Sequence, residues 1–188
     1  MGTPPDPSSG SPGSFENVLQ ANRRYAEAFS LRGIPARAAK GFALLTCMDS
    51  RIEPLAMLGL VPGDAKILRN AGGRVTEDVL RSLVLATAFL GVSRIAVMQH
   101  TNCALAHRTD QEVRADLPYG RDLANSWDFH TMADPDKALR EDVEKVRACR
   151  LLPPTTQIEG WRYDVENGVV HRVIPAENLE PEGSTAEE

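Results

Sequence analysis

The chain has 188 residues, 42% of them hydrophobic and 25% charged, with a formal net charge of −5. This length and composition suit one globular domain, and the acidic balance argues against a surface built for phosphate backbones or anionic lipid, so no nucleic-acid or membrane partner is expected. No run of 18 apolar residues occurs and the N-terminus lacks a basic segment followed by an apolar one, so neither a span nor a secretory signal is expected, and the expected location is cytoplasmic.

Residues 1–14 are nearly all Pro, Gly, Ser, Thr and Asp, which offer too little apolar surface to offset the entropy of ordering them. They read as a disordered N-terminal tail. Residues 175–188 read as an acidic C-terminal tail, leaving 15–174 as a single folded domain.

Phe15, Val18, Leu19, Tyr25, Ala26 and Phe29 fall at the three-and-four spacing of an amphipathic helix, with Ser14 as its expected N-cap. Phe42-Ala-Leu-Leu-Thr46 is a continuous apolar run and reads as a buried strand; Ile67-Leu68 reads as another, ahead of an Asn-Ala-Gly-Gly turn. Thr76-Glu77-Asp78 supplies a cap and an acidic first turn for a helix through Phe89, ended by Gly91. Ile95-Ala-Val-Met98 is a further strand. Asp134-Pro135 opens a helix that stops before Pro153-Pro154, and Trp161–Val165 and Val169–Val173 form a hairpin around Glu166-Asn167-Gly168. Strand, helix, strand with short connections predicts an α/β fold: a central, mainly parallel sheet with flanking helices and a C-terminal antiparallel hairpin.

Cys47 and Asp49 follow the first strand, and His100 and Cys103 follow the strand ending near Met98. All four thus sit at strand carboxyl ends, the edge at which open parallel sheets bind ligands, and they converge if the two strands are neighbours. Two thiolates and an imidazole suit Zn²⁺, and three protein ligands leave a fourth position for water. On spacing alone the same residues are equally compatible with small buried thiols and a hydrogen-bonded strand-end histidine. Arg51 has the planar fork that grips a carboxylate, which would hold Asp49 off the metal and leave it free to accept a hydrogen bond from the bound water.

Cys47-Met-Asp-Ser-Arg51, Arg69-Asn-Ala-Gly72 and His100-Thr-Asn-Cys103 together resemble the β-class carbonic anhydrases, in particular a compact bacterial branch that includes carbonyl sulfide hydrolase-like relatives. The likeness runs from about Phe15 to Val173, including Asp142-Val143 and Gly160-Trp-Arg-Tyr-Asp-Val165. It implies a β-carbonic anhydrase-like fold with one Zn²⁺ per subunit, bound by Cys47, His100 and Cys103. Asp49 either ligates the metal or orients its water, and Arg51 partners Asp49. The implied activity is attack of metal-bound hydroxide on CO₂ to give bicarbonate and a proton, with hydrolysis of carbonyl sulfide or carbon disulfide as the alternative and a non-catalytic zinc protein as a third reading. It further implies a homodimer or homotetramer, with the first helix helping to build the subunit interface. The sequence departs from the family pattern at Asn102, where members usually carry Asp, and at Ala104, where they carry Gly.

Overall fold

The structure is a computed structural model and describes residues 15–176. The tail expected over 1–14, and all but the first two residues of the one expected over 175–188, lie outside the described residues. The chain divides into two compact units, 1–34 and 35–188.

In the first unit, helix α1 spans Glu16–Glu27. The N-cap position is Phe15, which supplies no side-chain cap; Ser14, the expected cap, lies outside the described residues. The helical spacing gathers Val18, Leu19 and Tyr25 as expected, yet no residue of α1 is buried and all three are exposed.

The second unit runs β1 (Phe42–Cys47), α2 (Pro54–Met57), β2 (Ala65–Asn70), a 3₁₀ turn (Ala71–Gly73), α3 (Glu77–Phe89), β3 (Arg94–His100), α4 (Asp110–Asp116), a second 3₁₀ turn (Leu123–Ser126), α5 (Pro135–Arg147), β4 (Gln157–Tyr163) and β5 (Val170–Ile174). The five strands form one sheet in the order β2-β1-β3-β4-β5. The first four are parallel and only β5 is antiparallel, as the alternating pattern and the hairpin imply.

Sheet order follows from burial. Every residue of β1 is buried, which a strand enclosed on both edges and both faces requires. On one face Ala43, Leu45, Ile95, Val97 and Ile158 pack with Leu83 and Ala86 of α3 and with Leu139, Val143 and Val146 of α5. On the other, Phe42, Leu44, Ala96 and Met98 pack with Ile52, Met132 and the two cysteines Cys47 and Cys103. Each fully buried Leu or Val contributes about 1.5–3 kcal/mol by leaving water.

Local chemistry sets the helix boundaries. The Thr76 side chain accepts from Val79 N at the start of α3, and Asp134 accepts from Asp136 N and Lys137 N at the start of α5. Gly91 takes φ of 74°, ending α3 as read from the sequence. Arg74 and Asp142, both buried, join the 70–74 turn to α5 at 2.6 Å; Arg74 Nη1 also donates to the carbonyls of His130 and Thr131. A long excursion, residues 107–131, leaves and returns at one place, where His107 N donates to Met132 O (2.7 Å) and Met132 N to Leu105 O (2.9 Å).

The hairpin turn, residues 164–169, is longer than the sequence reading has it, and β4 begins earlier, at Gln157. Asp164 and Val165 leave the ladder because Asp164 organises the reversal: its carboxylate accepts from Glu166 N (2.9 Å) and Asn167 Nδ2 (2.8 Å), and its own N–H and C=O bond Val169 O and Gly168 N. Gly168, at φ 77°, supplies the left-handed residue this turn needs.

Candidate metal centre

Cys47 is the last residue of β1 and His100 the last of β3. Because these strands are parallel neighbours, in register from Phe42 opposite Arg94 to Thr46 opposite Met98, both residues emerge at the same sheet edge, 53 residues apart in sequence. Cys103 enters from the loop directly after β3. One ligand atom from each of Cys47, His100 and Cys103 lies within 4.8 Å of the others, and all three side chains are buried.

His100 is oriented for ligation. Its Nδ1 lies 2.8 Å from Thr101 O, a contact that places the ring proton on Nδ1. Nε2 is then a lone-pair nitrogen, buried with no hydrogen-bond partner. An orphaned nitrogen facing two sulfurs fits a soft-to-borderline cation, and the S₂N donor set is that of a zinc site with its fourth position open.

The two sulfurs share a proton. The Cys47 thiol is lowered to about 4, first by the hydrogen bond from Cys103, against burial, and then by the backbone N–H groups of Asp49 and Gly72. Cys103 is pushed up, first by the same contact with Cys47 and then by burial. One thiolate therefore forms readily, and the second waits for a cation to offset its charge.

The 3₁₀ turn brings main chain against the centre. Asn70 closes it, donating from Nδ2 to Arg74 O (2.7 Å) and accepting from Arg74 N at Oδ1 (2.8 Å). Gly73 sits at φ 65°, and a Cβ there would lie 2.9 Å from Met98 O and 3.0 Å from Cys47 N, so no side chain fits. Arg69 ties β2 to the end of β1, donating to Cys47 O (3.0 Å) and Asp49 O (2.7 Å).

Asp49 stands outside the triad. Arg51 grips it twice, Nε to Oδ1 at 2.9 Å and Nη2 to Oδ2 at 2.8 Å, and Arg51 N donates to Oδ1 as well (3.0 Å). The Arg51 side chain thereby holds the Asp49 carboxyl well below the usual carboxylate range. Asp49 Oδ2 lies 3.9 Å from His100 Nε2, near the metal position without occupying it.

A cavity of about 620 Å³ borders the centre, lined by His100, Asn102, Ala106, His107 and Arg162 among others. The segment Ala104–Arg108 contributes Ala106 and His107 to it, whereas Trp127–His130 does not border it. Trp127 and Phe129 instead border a separate apolar hollow with Leu117 and Leu123. Cys149, the third cysteine, is half-buried and packs on the α3–α5 side of the sheet.

Three features of the centre are absent from the sequence reading: the inward N–H groups of Gly72 and Leu105, the Arg74–Asp142 pair, and a contact from Asn102 to Glu166. Only Asn102 carries a local signal, as a residue type tolerant of the left-handed φ of 54° it adopts.

The family model for carbonic anhydrase matches residues 42–170, from the first strand to the start of the last. β-Carbonic anhydrase 1 of Mycobacterium tuberculosis is 29% identical over 160 residues, covering 85% of this chain and 98% of that one. A carbon disulfide hydrolase from Acidianus sp. is 34% identical, covering 72% of this chain and 78% of that protein. Among solved structures, carbonic anhydrase from Streptococcus mutans superposes with a TM-score of 0.77 at 41% identity, over 85% of this chain and 96% of that one. A match that spans the sheet and both cysteine-bearing loops, with relatives of nearly the same length, places the chain in the β-carbonic anhydrase family.

Proposed function

We propose that this protein is a zinc enzyme that reversibly hydrates CO₂ to bicarbonate and a proton, with one Zn²⁺ per subunit on Cys47, His100 and Cys103. The observation that carries the reading is the meeting of two sulfurs and an unpartnered imidazole nitrogen at one sheet edge, with Asp49 held beside them by Arg51. Bound there, Zn²⁺ supplies the Lewis acidity that lets a water lose its proton near neutral pH and attack a small electrophilic carbon.

The chain's own groups do the rest. The N–H groups of Gly72 and Asp49 hold the Cys47 sulfur, and Thr101 O fixes the His100 ring, so the donor atoms are set before the metal arrives. Arg51 keeps the Asp49 carboxylate ionised and turned aside, which leaves one position open and presents an acceptor for the water's hydrogen bond. Released by Arg51, Asp49 would be the nearby carboxylate able to hold the metal itself. The product proton leaves to buffer.

Hydrolysis of carbonyl sulfide or carbon disulfide is a second reading, favoured by the carbon disulfide hydrolase relative. Stopped-flow CO₂ hydration on zinc-loaded protein beside a chelated control tests the first reading, and sulfide release into the headspace tests the second. Zinc-loaded protein inactive in both assays defeats the enzymatic reading and leaves zinc binding alone.

We also propose a cytoplasmic homodimer or homotetramer, supported by the exposed apolar residues of α1 and by the family resemblance. A monomer mass by light scattering at micromolar concentration would count against the assembly.

A further inference from the structure

Asn102 lies between two metal-site residues, His100 and Cys103, and its side chain is engaged elsewhere. Its Nδ2 donates to Glu166 Oε1 at 3.0 Å, a contact across 64 residues to the β4–β5 turn. Its backbone carbonyl accepts from Arg51 Nη2 at 3.0 Å. That same Nη2 donates to Asp49 Oδ2 at 2.8 Å. Four residues therefore form one unbroken chain of hydrogen bonds, from the hairpin turn to the carboxylate beside the candidate metal position.

Asn102 pivots on a φ of 54°, a conformation that costs a non-glycine residue about 1 kcal/mol or more and persists where its surroundings hold it. Glu166 is the side chain that holds it. The turn carrying Glu166 is anchored independently: Thr101 N donates to Tyr163 O (2.9 Å), Val165 N to Thr101 Oγ1 (3.1 Å) and Thr101 Oγ1 to Asp164 Oδ1 (3.3 Å). Removing the Glu166 carboxylate thus leaves the turn in place and cuts only the link to Asn102.

We propose that Glu166 is a positioning residue for the Asp49–Arg51 pair, acting through Asn102. By fixing the peptide of Asn102 it gives Arg51 a second acceptor, which fixes the plane of the guanidinium and so the distance of Asp49 from the metal. The charge of Glu166 also favours the Arg51 cation, behind the larger contribution of Asp49 itself. A consequence concerns residue identity at 102: an Asp there would set two carboxylates about 3 Å apart, so the amide of Asn102 and the acid of Glu166 are a matched pair. This inference rests on the proposed roles of Asp49 and Arg51.

The test is a set of four variants, with Arg51→Ala as reference, each checked for zinc content. Two readouts are used: CO₂ hydration, split into kcat and KM, and the visible spectrum of the cobalt-substituted protein without substrate, which reports the metal's immediate ligands. E166A and N102D should lower kcat on the order of tenfold with KM little changed, and should alter the cobalt spectrum. E166Q, which still presents an acceptor oxygen, and N102D/E166Q, which restores a donor opposite an acceptor, should recover both readouts to within about twofold of the native protein. Wild-type values for E166A and N102D, or no recovery in N102D/E166Q, overturn the proposal while Arg51→Ala remains impaired. Full activity in Arg51→Ala overturns the parent reading together with it.

Discussion

The guanidinium of Arg51 spans both carboxylate oxygens of Asp49, and the nearer of those oxygens stands 3.9 Å from His100 Nε2. One side chain is thus kept within reach of the metal position and off it.

Asp49 has a depressed pKa in the folded chain, with Arg51 its first cause. A group of this sign adds stability at pH above its unfolded value, near 3.9, and loses it as pH falls through the folded value. Asp49 is therefore ionised throughout the range of pH 5 to 9, and any rise of CO₂ hydration across pH 7 to 9 comes from another group. In Arg51→Ala the Asp49 carboxyl, followed by carbon NMR of metal-free protein, should titrate up toward about 3.9. A midpoint unchanged from the native protein would show that Arg51 does not hold it.

Metal uptake should release protons. With Cys47 lowered to about 4 and Cys103 raised, the pair holds one proton at neutral pH, and a divalent cation displaces it. Adding zinc to metal-free protein in weakly buffered indicator at pH 7 should liberate about one proton per site from this pair, and affinity should weaken as pH falls. Cys47→Ala and Cys103→Ala should each fail to retain stoichiometric zinc by elemental analysis.

Gly73→Ala places a Cβ 2.9 Å from Met98 O and 3.0 Å from Cys47 N at a left-handed φ. We expect a loss of about 2–4 kcal/mol in urea unfolding, from combined strain and overlap. Gly120, also left-handed but with open space around its Cβ position, should cost only about 1 kcal/mol when changed to Ala. Equal costs at the two sites would mean the backbone around Gly73 gives way.

The Arg74–Asp142 pair is buried on both sides. Asp142→Leu, which strands the guanidinium, should destabilise by about 3–5 kcal/mol, whereas the double change Arg74→Met with Asp142→Leu should cost distinctly less than the two single changes added together. Equilibrium unfolding of the four proteins measures the coupling.

What the sequence made legible was local. The apolar runs that became β1 and β3, the caps Thr76 and Asp134, and the polar residues just past each strand are adjacent in the chain, so pattern alone locates them. Convergence of Cys47 and His100 needed only that their strands be neighbours, which parallel topology supplies. Helix α4 was legible too and passed over: Thr109 and Glu112 have the spacing of a reciprocal cap, and both of its hydrogen bonds are present. The hairpin shift was not legible, because alternation continues through Asp164 and Val165, and what removes them from the ladder is the set of bonds Asp164 makes within the turn together with the tertiary bond from Val165 N to Thr101 Oγ1. The pairings of Glu166 and Asp142 were not legible for a related reason: each meets its partner more than sixty positions away, and an acidic residue on a turn or helix looks alike whether it is solvated or engaged.

The excursion of residues 107–131 begins and ends at a single point, the lone β-bridge between Ala106 and Met132. A segment whose two ends already meet makes its length nearly independent of everything outside it, since closure entropy grows only with the logarithm of loop size. Asp110 ties its interior together, accepting from Phe129 N, Thr131 N and Thr131 Oγ1. The molecule thus has a port beside its candidate metal centre, where chain between Asp110 and Phe129 can be lengthened or trimmed while His130 and Thr131 keep their hold on Arg74.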